Sequence, residues 1–362
     1  MSEVNTNEII TGYKAFNPDF KCRGFQYKAG KTFEHEGESG LCSKGFHFCP
    51  KDPLDVFNYY PLVSMESGLP TRLAKVSAPK KDTIVDLNGV KCVTSKISID
   101  KEITLNALIK EQIKKAYKSE GEAGLLIAEG EWSTLTDSGL ATKIISNKDE
   151  THISLTRSHS MAIVSANHAY LASSGDSTGL FAIGKYATLS NSGSCTDIYS
   201  NGHYSSTSST GRYSRLRITG NETSIASSGA VSVLNVKGNY TNTSSSGEAS
   251  KLRITGHHAG VASSGAYSKL TVTGNEARIA AVGEFSRVIY EGKDGVITVL
   301  GPDTEFKGSE GTLVLAVTYD DYATIDGGLV GRIGKGGLKP DTLYTVRDGR
   351  FVEVEAEDAE IE

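Results

Sequence analysis

With 362 residues, 38% of them hydrophobic and 22% charged, the chain is too long for one small core and too apolar to be a disordered acid tail. It also lacks any run of about 18 apolar residues that would span a membrane as a helix. The formal net charge of -5 is uneven, because residues 302–362 hold 6 Lys+Arg against 14 Asp+Glu and end in VEVEAEDAEIE, which reads as a solvated tail. Five scattered cysteines, an odd number, argue against a disulfide framework, and MSEVNTNEII shows no apolar signal core, so the cytoplasm is the expected compartment.

Residues 1–99 differ in composition from the rest of the chain and read as a small α+β domain. RLAKVSAP, DTIVDL and VTSKISI have the period-two look of strands. This domain also concentrates reactive side chains. Cys22, Cys42, Cys49, His35 and His47 bring zinc to mind, but no C-x-x-C pair is present and a C-x6-C spacing is not that of a structural zinc site, so no metal is expected. Arg23, His47 and Tyr60 are the residues that would line a small cleft for a nucleotide or phosphate. No phosphate loop exists, since GKGG at 334–337 lacks the spacing. No catalytic set and no cofactor are read from the sequence.

Residues 100–121 form the next element. In KEITLNALIKEQIKKAYKS, positions Leu105, Leu108, Ile109, Ile113, Ala116 and Tyr117 share one helical face. A helix here is expected to link the domain to the repeats beyond it and to cover an open sheet edge.

From 122 to 301 the chain repeats. Glycines stand every nine residues from Gly175 to Gly301, and units such as RYSRLRITG, NETSIASSG and AVSVLNVKG share a small residue at position 3 and, in most, an aliphatic one at position 5. Position 7 alternates between aliphatic and serine (Ile218, Ser227, Val236, Ser245, Ile254, Ser263). The true period is therefore 18, two unlike sides of nine. Alternation within each unit predicts a strand, and glycine predicts a corner where a Cβ would clash or φ must be positive. The expected fold is mainly β: a two-sided parallel β-solenoid of ten coils, roughly 48 Å long at about 4.8 Å per strand. Calcium-binding nonapeptide rolls need an aspartate column that these units lack.

If positions 3, 5 and 7 point inward, positions 4 and 6 point out. On the side beginning at 122 the outward residues start apolar (Ile145, Met161, Ile163, Phe181, Tyr199) and turn basic (Arg215, Arg217, Lys251, Arg253, Lys269, Arg287). The apolar part predicts either cover by the N-terminal domain or a seam between two copies of the chain. The basic part predicts a surface for a host protein or another acidic macromolecule. Nucleic acid is a poor fit, because aromatics do not interleave along the stripe and the chain is acidic overall. The other side is flat, small and uncharged, with Thr188, Ser190, Ser206, Ser208 and Ala262 among its outward residues. Beyond Pro302, GTLVLAVTYDD and the Asp348-Gly349 turn predict an antiparallel β cap before the tail.

The run YKAF…CRGFQYKAGKTFEHEG…LCSKGFHFCPKDPLDVFNYYP resembles the N-terminal domain of an uncharacterised family frequent in bacteriophages and prophages, whose members often carry Ser/Ala/Thr/Gly solenoid repeats behind it. The ending GLKPDTLYTVRDGRFVEV is similar to the usual ending in that family. The N-terminal domain also resembles ADP-ribosyltransferase-type sheets, in that a Tyr-Lys strand precedes a Gly-Phe-His strand. The family resemblance implies a phage or prophage setting, and ten repeated coils without a catalytic constellation lead to the expectation of a non-enzymatic interaction protein in the bacterial host that docks a host macromolecule through its solenoid faces, with a defence or nucleic-acid-handling factor as the target to be inhibited. The alternatives are a nucleotide-binding or ADP-ribosyltransferase-like N-terminal domain, or a structural virion component.

Overall fold

The computed structural model describes residues 8–37, 40–41, 44–61, 64, 69–87, 89–116, 125–128, 130–137, 142–320 and 324–354. The chain divides into two compact units, Met1–Glu122 and Ala123–Glu362.

The first unit is built on two antiparallel sheets. Strands β1 (Ile9–Phe16), β2 (Lys21–Cys22), β3 (Phe25–Gln26), β4 (Lys31–Glu34), β5 (Phe46–Phe48), β6 (Arg72–Pro79), β7 (Thr83–Val85), β8 (Cys92–Thr94) and β9 (Lys96–Ile103) precede one helix, α1 (Leu105–Ala116). The larger sheet has the order β1-β6-β9-β4, the smaller β5-β8-β7, and β2-β3 is a separate hairpin. Phe16, Phe20, Tyr27, Phe46, Phe48, Val76, Ile97 and Ile99 fill the core.

Helix α1 packs inside this unit. Gln112 accepts from the Leu54 N–H (3.3 Å) and donates to Asp52 Oδ1 (3.1 Å), while Glu111 pairs with Lys75 (2.9 Å). Of the predicted 100–121 helix, residues 100–103 extend strand β9 instead, and 117–121, with Tyr117, lie outside the described residues.

The second unit is the solenoid. Among the described residues two sheets, one of 13 strands and one of 12, each hold 11 parallel strands taken alternately from successive half-coils. The register is 18 residues from the first coil through Glu305–Gly308, with Leu216 pairing with Leu234, Leu234 with Leu252 and Leu252 with Leu270, and falls to 17 at the last parallel pair, where Ile297 meets Val314. Inward positions 5 and 7 form the core, with Leu180, Leu216, Ile218, Leu252 and Ile254 at 0–1% exposure. The period-two prediction is thus met in detail. Parallel pairing also outlasts the glycine column. Glu305–Gly308 and Leu313–Tyr319 continue the two sheets past Gly301, before Ile325–Arg332 and the hairpin Tyr344–Arg347/Arg350–Glu353 add antiparallel strands.

The corners differ from expectation in one respect. Positive φ falls mainly on the second residue of each unit rather than on the glycine. From Trp132 to Asp303, described residues such as Tyr186, Tyr204, Val231 and Tyr240 all have φ between 49° and 61°. The glycine answers to coil stacking. A Cβ on Gly238 would overlap the carbonyl oxygen of Gly220 one coil below. Left-handed backbone on ordinary residues is strained by about 1–2 kcal/mol each, and the structure compensates along the corner. The Tyr204 N–H donates to Asn221 O (3.1 Å) and the Tyr240 N–H to His257 O (2.9 Å). The preceding side chains form a second ladder, in which Asn221 Oδ1 accepts from Asn239 N, and Asn239 Oδ1 from His257 N. The rings themselves stack, Tyr186 on Tyr204 at 5.1 Å and Tyr240 on His258 at 4.7 Å.

Candidate functional site

A cavity of about 530 Å³ opens in the first unit. Its position follows from one close approach. Tyr13 in β1 bridges Cys49, just past β5, through two backbone hydrogen bonds (2.9 and 2.8 Å). Gly12 permits this, since a Cβ there would lie 2.5 Å from the Cys49 oxygen. The bridge joins the two sheets and sets Lys14 beside His47.

Arg23 enters from the β2–β3 hairpin, whose two-residue turn has φ 49° at Arg23 and 80° at Gly24, the type I′ pattern suited to twisted strands. Tyr60 lies just past the 3-10 helix Pro53–Asn58. The structure brings all three predicted pocket residues, Arg23, His47 and Tyr60, to this one cavity.

It adds a residue that the sequence reading missed. Lys14 is 4% exposed. Its Nζ donates to the His47 carbonyl (2.7 Å) and to Cys22 Sγ (3.7 Å), and lies 5.5 Å and 5.4 Å from the ring centres of Phe16 and Tyr27. Burial lowers its pKa, the two neighbouring thiols Cys22 and Cys49 opposing. The signal was present: Lys14 alternates with Ile10, Gly12 and Phe16, the inward face of β1.

Electrostatics around the cavity are one-sided. Lys14, Arg23, Lys44 and Lys91 line it, and no carboxylate stands among the described lining residues. His47 is pushed down to about 4, first by burial and then by the cations Lys91, Lys14 and Arg23, so it is neutral at pH 7. Its Nε2 is buried without a hydrogen-bond partner. Burial raises the Tyr60 and Tyr27 phenols, pushes Cys49 up to about 12 and Cys92 up to about 11, and leaves both thiols protonated at neutral pH. Cys42 lies outside the described residues.

On the solenoid, the predicted basic stripe resolves into parts. Arg215 pairs with Asp197 and Arg287 with Glu305, each at 2.5 Å and each one coil away. Arg217 is half-buried over the Tyr199 ring (5.8 Å). Val233 and Asn235 occupy the rung between these arginines and Lys251/Arg253. Lys251, Arg253 and Lys269 cluster on adjacent rungs. Burial lowers the Lys251 pKa, followed by Lys269 and Arg253. Of the apolar outward residues, Ile145, Ile163, Phe181 and Tyr199 are at most 4% exposed and Met161 is half-buried, so they offer little free surface.

Sequence comparison addresses only the first unit. Residues 10–111 match the family model described as "Domain of unknown function (DUF7666)". The chain therefore joins a DUF7666 domain to a β-solenoid of about ten turns. No curated protein and no solved structure matches it significantly.

Proposed function

We propose that the DUF7666 domain is a binding module for a small anion that carries a planar ring, of the nucleotide class, and that the solenoid is its interaction platform. The observation that carries this is Lys14. Burying an ammonium costs several kcal/mol unless a counter-charge is supplied, yet Lys14 bonds only a carbonyl and a thiol and lines a cavity with three further cations. An anion would complete the site. Aromatic side chains Phe25, Tyr27, Phe46 and Tyr59 in the same wall suit a flat ring, and the volume lies in the range of small-molecule sites. The ADP-ribosyltransferase-type resemblance supports a dinucleotide as one member of the class.

Calorimetry and thermal melting of the full chain with AMP, ADP-ribose, NAD and inorganic phosphate test this. A nucleotide held at about 100 times its Kd should stabilise the domain by about 2.7 kcal/mol. Lys14→Met should abolish that gain while raising the stability of the ligand-free domain by about 1–2 kcal/mol, because it removes an uncompensated buried charge. A Lys14→Met domain that is less stable than the parent, together with a flat response across the panel, would overturn the reading.

A second binding role rests on Lys251, Arg253 and Lys269, whose mutual repulsion an acidic partner surface would relieve. The resemblance of both chain ends to a bacteriophage and prophage family supports seeking that partner in bacterial lysate.

A further inference from the structure

Burial has two consequences for a lysine side chain. It makes the ammonium costly, and it raises the share of free amine, the form whose lone pair attacks a carbonyl carbon. Lys14 meets the conditions for that chemistry. Its side chain is buried, its Nζ bonds a carbonyl and a thiol, and it lines the cavity of about 530 Å³. No carboxylate among the described lining residues holds it as an ammonium, and burial lowers its pKa. His47 lines the same cavity as a neutral base, with its Nε2 buried and unpartnered. Arg23, Lys44 and Lys91 bring positive charge to the same space.

We propose that Lys14 forms a reversible imine with an anionic aldehyde bound in this cavity, a phosphorylated planar ring that brings its carbonyl carbon to Nζ. The proposal rests on the anion-site reading of the cavity and adds the reactive group that the ligand carries. Nζ forms a bond to the carbonyl carbon, the C–O bond breaks, and the oxygen leaves as water with the two protons of the amine. His47 Nε2 is the group that carries those protons, one at a time. The step needs no oxidant or reductant, and hydrolysis reverses it. Phe25, Tyr27, Phe46 and Tyr59 face the ring, and the three other cations take the phosphate. Within the nucleotide class, ADP-ribose carries an aldehyde masked in its terminal ribose, whereas AMP and NAD carry none.

Pyridoxal phosphate is the probe, and pyridoxamine phosphate is the analogue that keeps the ring and the phosphate but has no carbonyl. The full chain is mixed with a substoichiometric amount of probe, reduced with borohydride and mapped by peptide mass spectrometry. Lys14 should carry most of the label, and excess analogue should displace it. Before reduction the imine should give an absorption band that Lys14→Met loses. Lys80 and Lys339, with side chains 63% and 67% exposed, report indiscriminate labelling. Calorimetry with the analogue separates the two readings of the cavity. If the analogue binds but the label falls on Lys80, Lys339, Lys44 or Lys91, the imine is overturned and the anion site stands. Label at Lys14 that excess analogue leaves in place would overturn the anionic class of the aldehyde. If the analogue does not bind and Lys14 stays unlabelled, this proposal falls, and the nucleotide panel decides the anion site by itself.

Discussion

The two units solve the same problem of closing a β-structure by opposite means. In the solenoid successive coils repeat, so backbone groups find their partners one coil away and the glycines of the column from Gly175 to Gly301 answer the same steric demand, the carbonyl of the coil below. In the DUF7666 domain the close approach occurs once, where Gly12 lets Tyr13 bridge Cys49. A periodic unit spreads strain evenly along its corners. An aperiodic one concentrates it, and the concentration leaves a cavity with a buried lysine and a histidine nitrogen lacking a partner. For charge the contrast is between arginines such as Arg215 and Arg287, paired one coil away on the solenoid, and Lys14, buried beside other cations in the first unit; unpartnered buried hydroxyls such as Ser200, Thr207 and Ser245 belong to the solenoid core.

That contrast can be broken by substitution, and the largest effect is expected at a solenoid corner. Gly238→Ala should cost the solenoid about 3 kcal/mol, because its Cβ would overlap backbone that repeats above and below. Gly24→Ala in the β2–β3 turn should cost only about 1 kcal/mol, since nothing lies within 4 Å and only its φ of 80° is at stake. Chemical denaturation of the two variants, followed by hydrogen exchange to separate the units, measures both. Equal costs would remove the distinction.

Acid should act next, at His47 in the first unit. The folded-state pKa of His47 lies at about 4, below its unfolded value of 6.5. Its contribution is therefore fully present above pH 6.5 and is lost as pH falls toward 4. Allowing for its partial exposure, the loss is about 1–2 kcal/mol. Hydrogen exchange in β5 should speed up over that window, and His47→Phe should flatten the response.

A smaller gain is expected at Val231, a β-branched residue held at φ 56°. Val231→Gly should stabilise the solenoid by up to about 1 kcal/mol, read as a shift in the denaturation midpoint. A loss would mean that its side chain contributes more than its backbone strain.

The smallest effect on folding belongs to the basic cluster. Reversing Lys251, Arg253 and Lys269 to Glu should leave the solenoid within about 0.5 kcal/mol of the parent but sharply reduce retention on a cation exchanger. Reversing Arg215 and Arg287, already paired with Asp197 and Glu305, should change retention less. Equal changes would show that the flanking carboxylates do not compensate.

Much of the solenoid could be read directly. The small residue at position 3 and the aliphatic one at position 5 recur because each inward side chain meets its own counterpart 18 residues on, so one register statement fixes all the others. Arg23, His47 and Tyr60 were also legible as a group, through the density of reactive side chains before residue 61. What escaped was anything that depends on two distant segments meeting. Lys14 was not singled out, because its burial beside His47 depends on β1 meeting β5. The stacking of corner rings coil on coil, as in Tyr186 on Tyr204, likewise needs the corner geometry.

By itself, then, the amino-acid sequence determined the solenoid's period, its inward face and its corners, because in a repeat the neighbour of each residue is another copy of the same pattern. Only the tertiary structure decided which cations are compensated, which lysine is buried and where the cavity lies. Those properties come from contacts between unlike segments, and the free energy of a charge depends on the groups the fold places around it rather than on its neighbours along the chain.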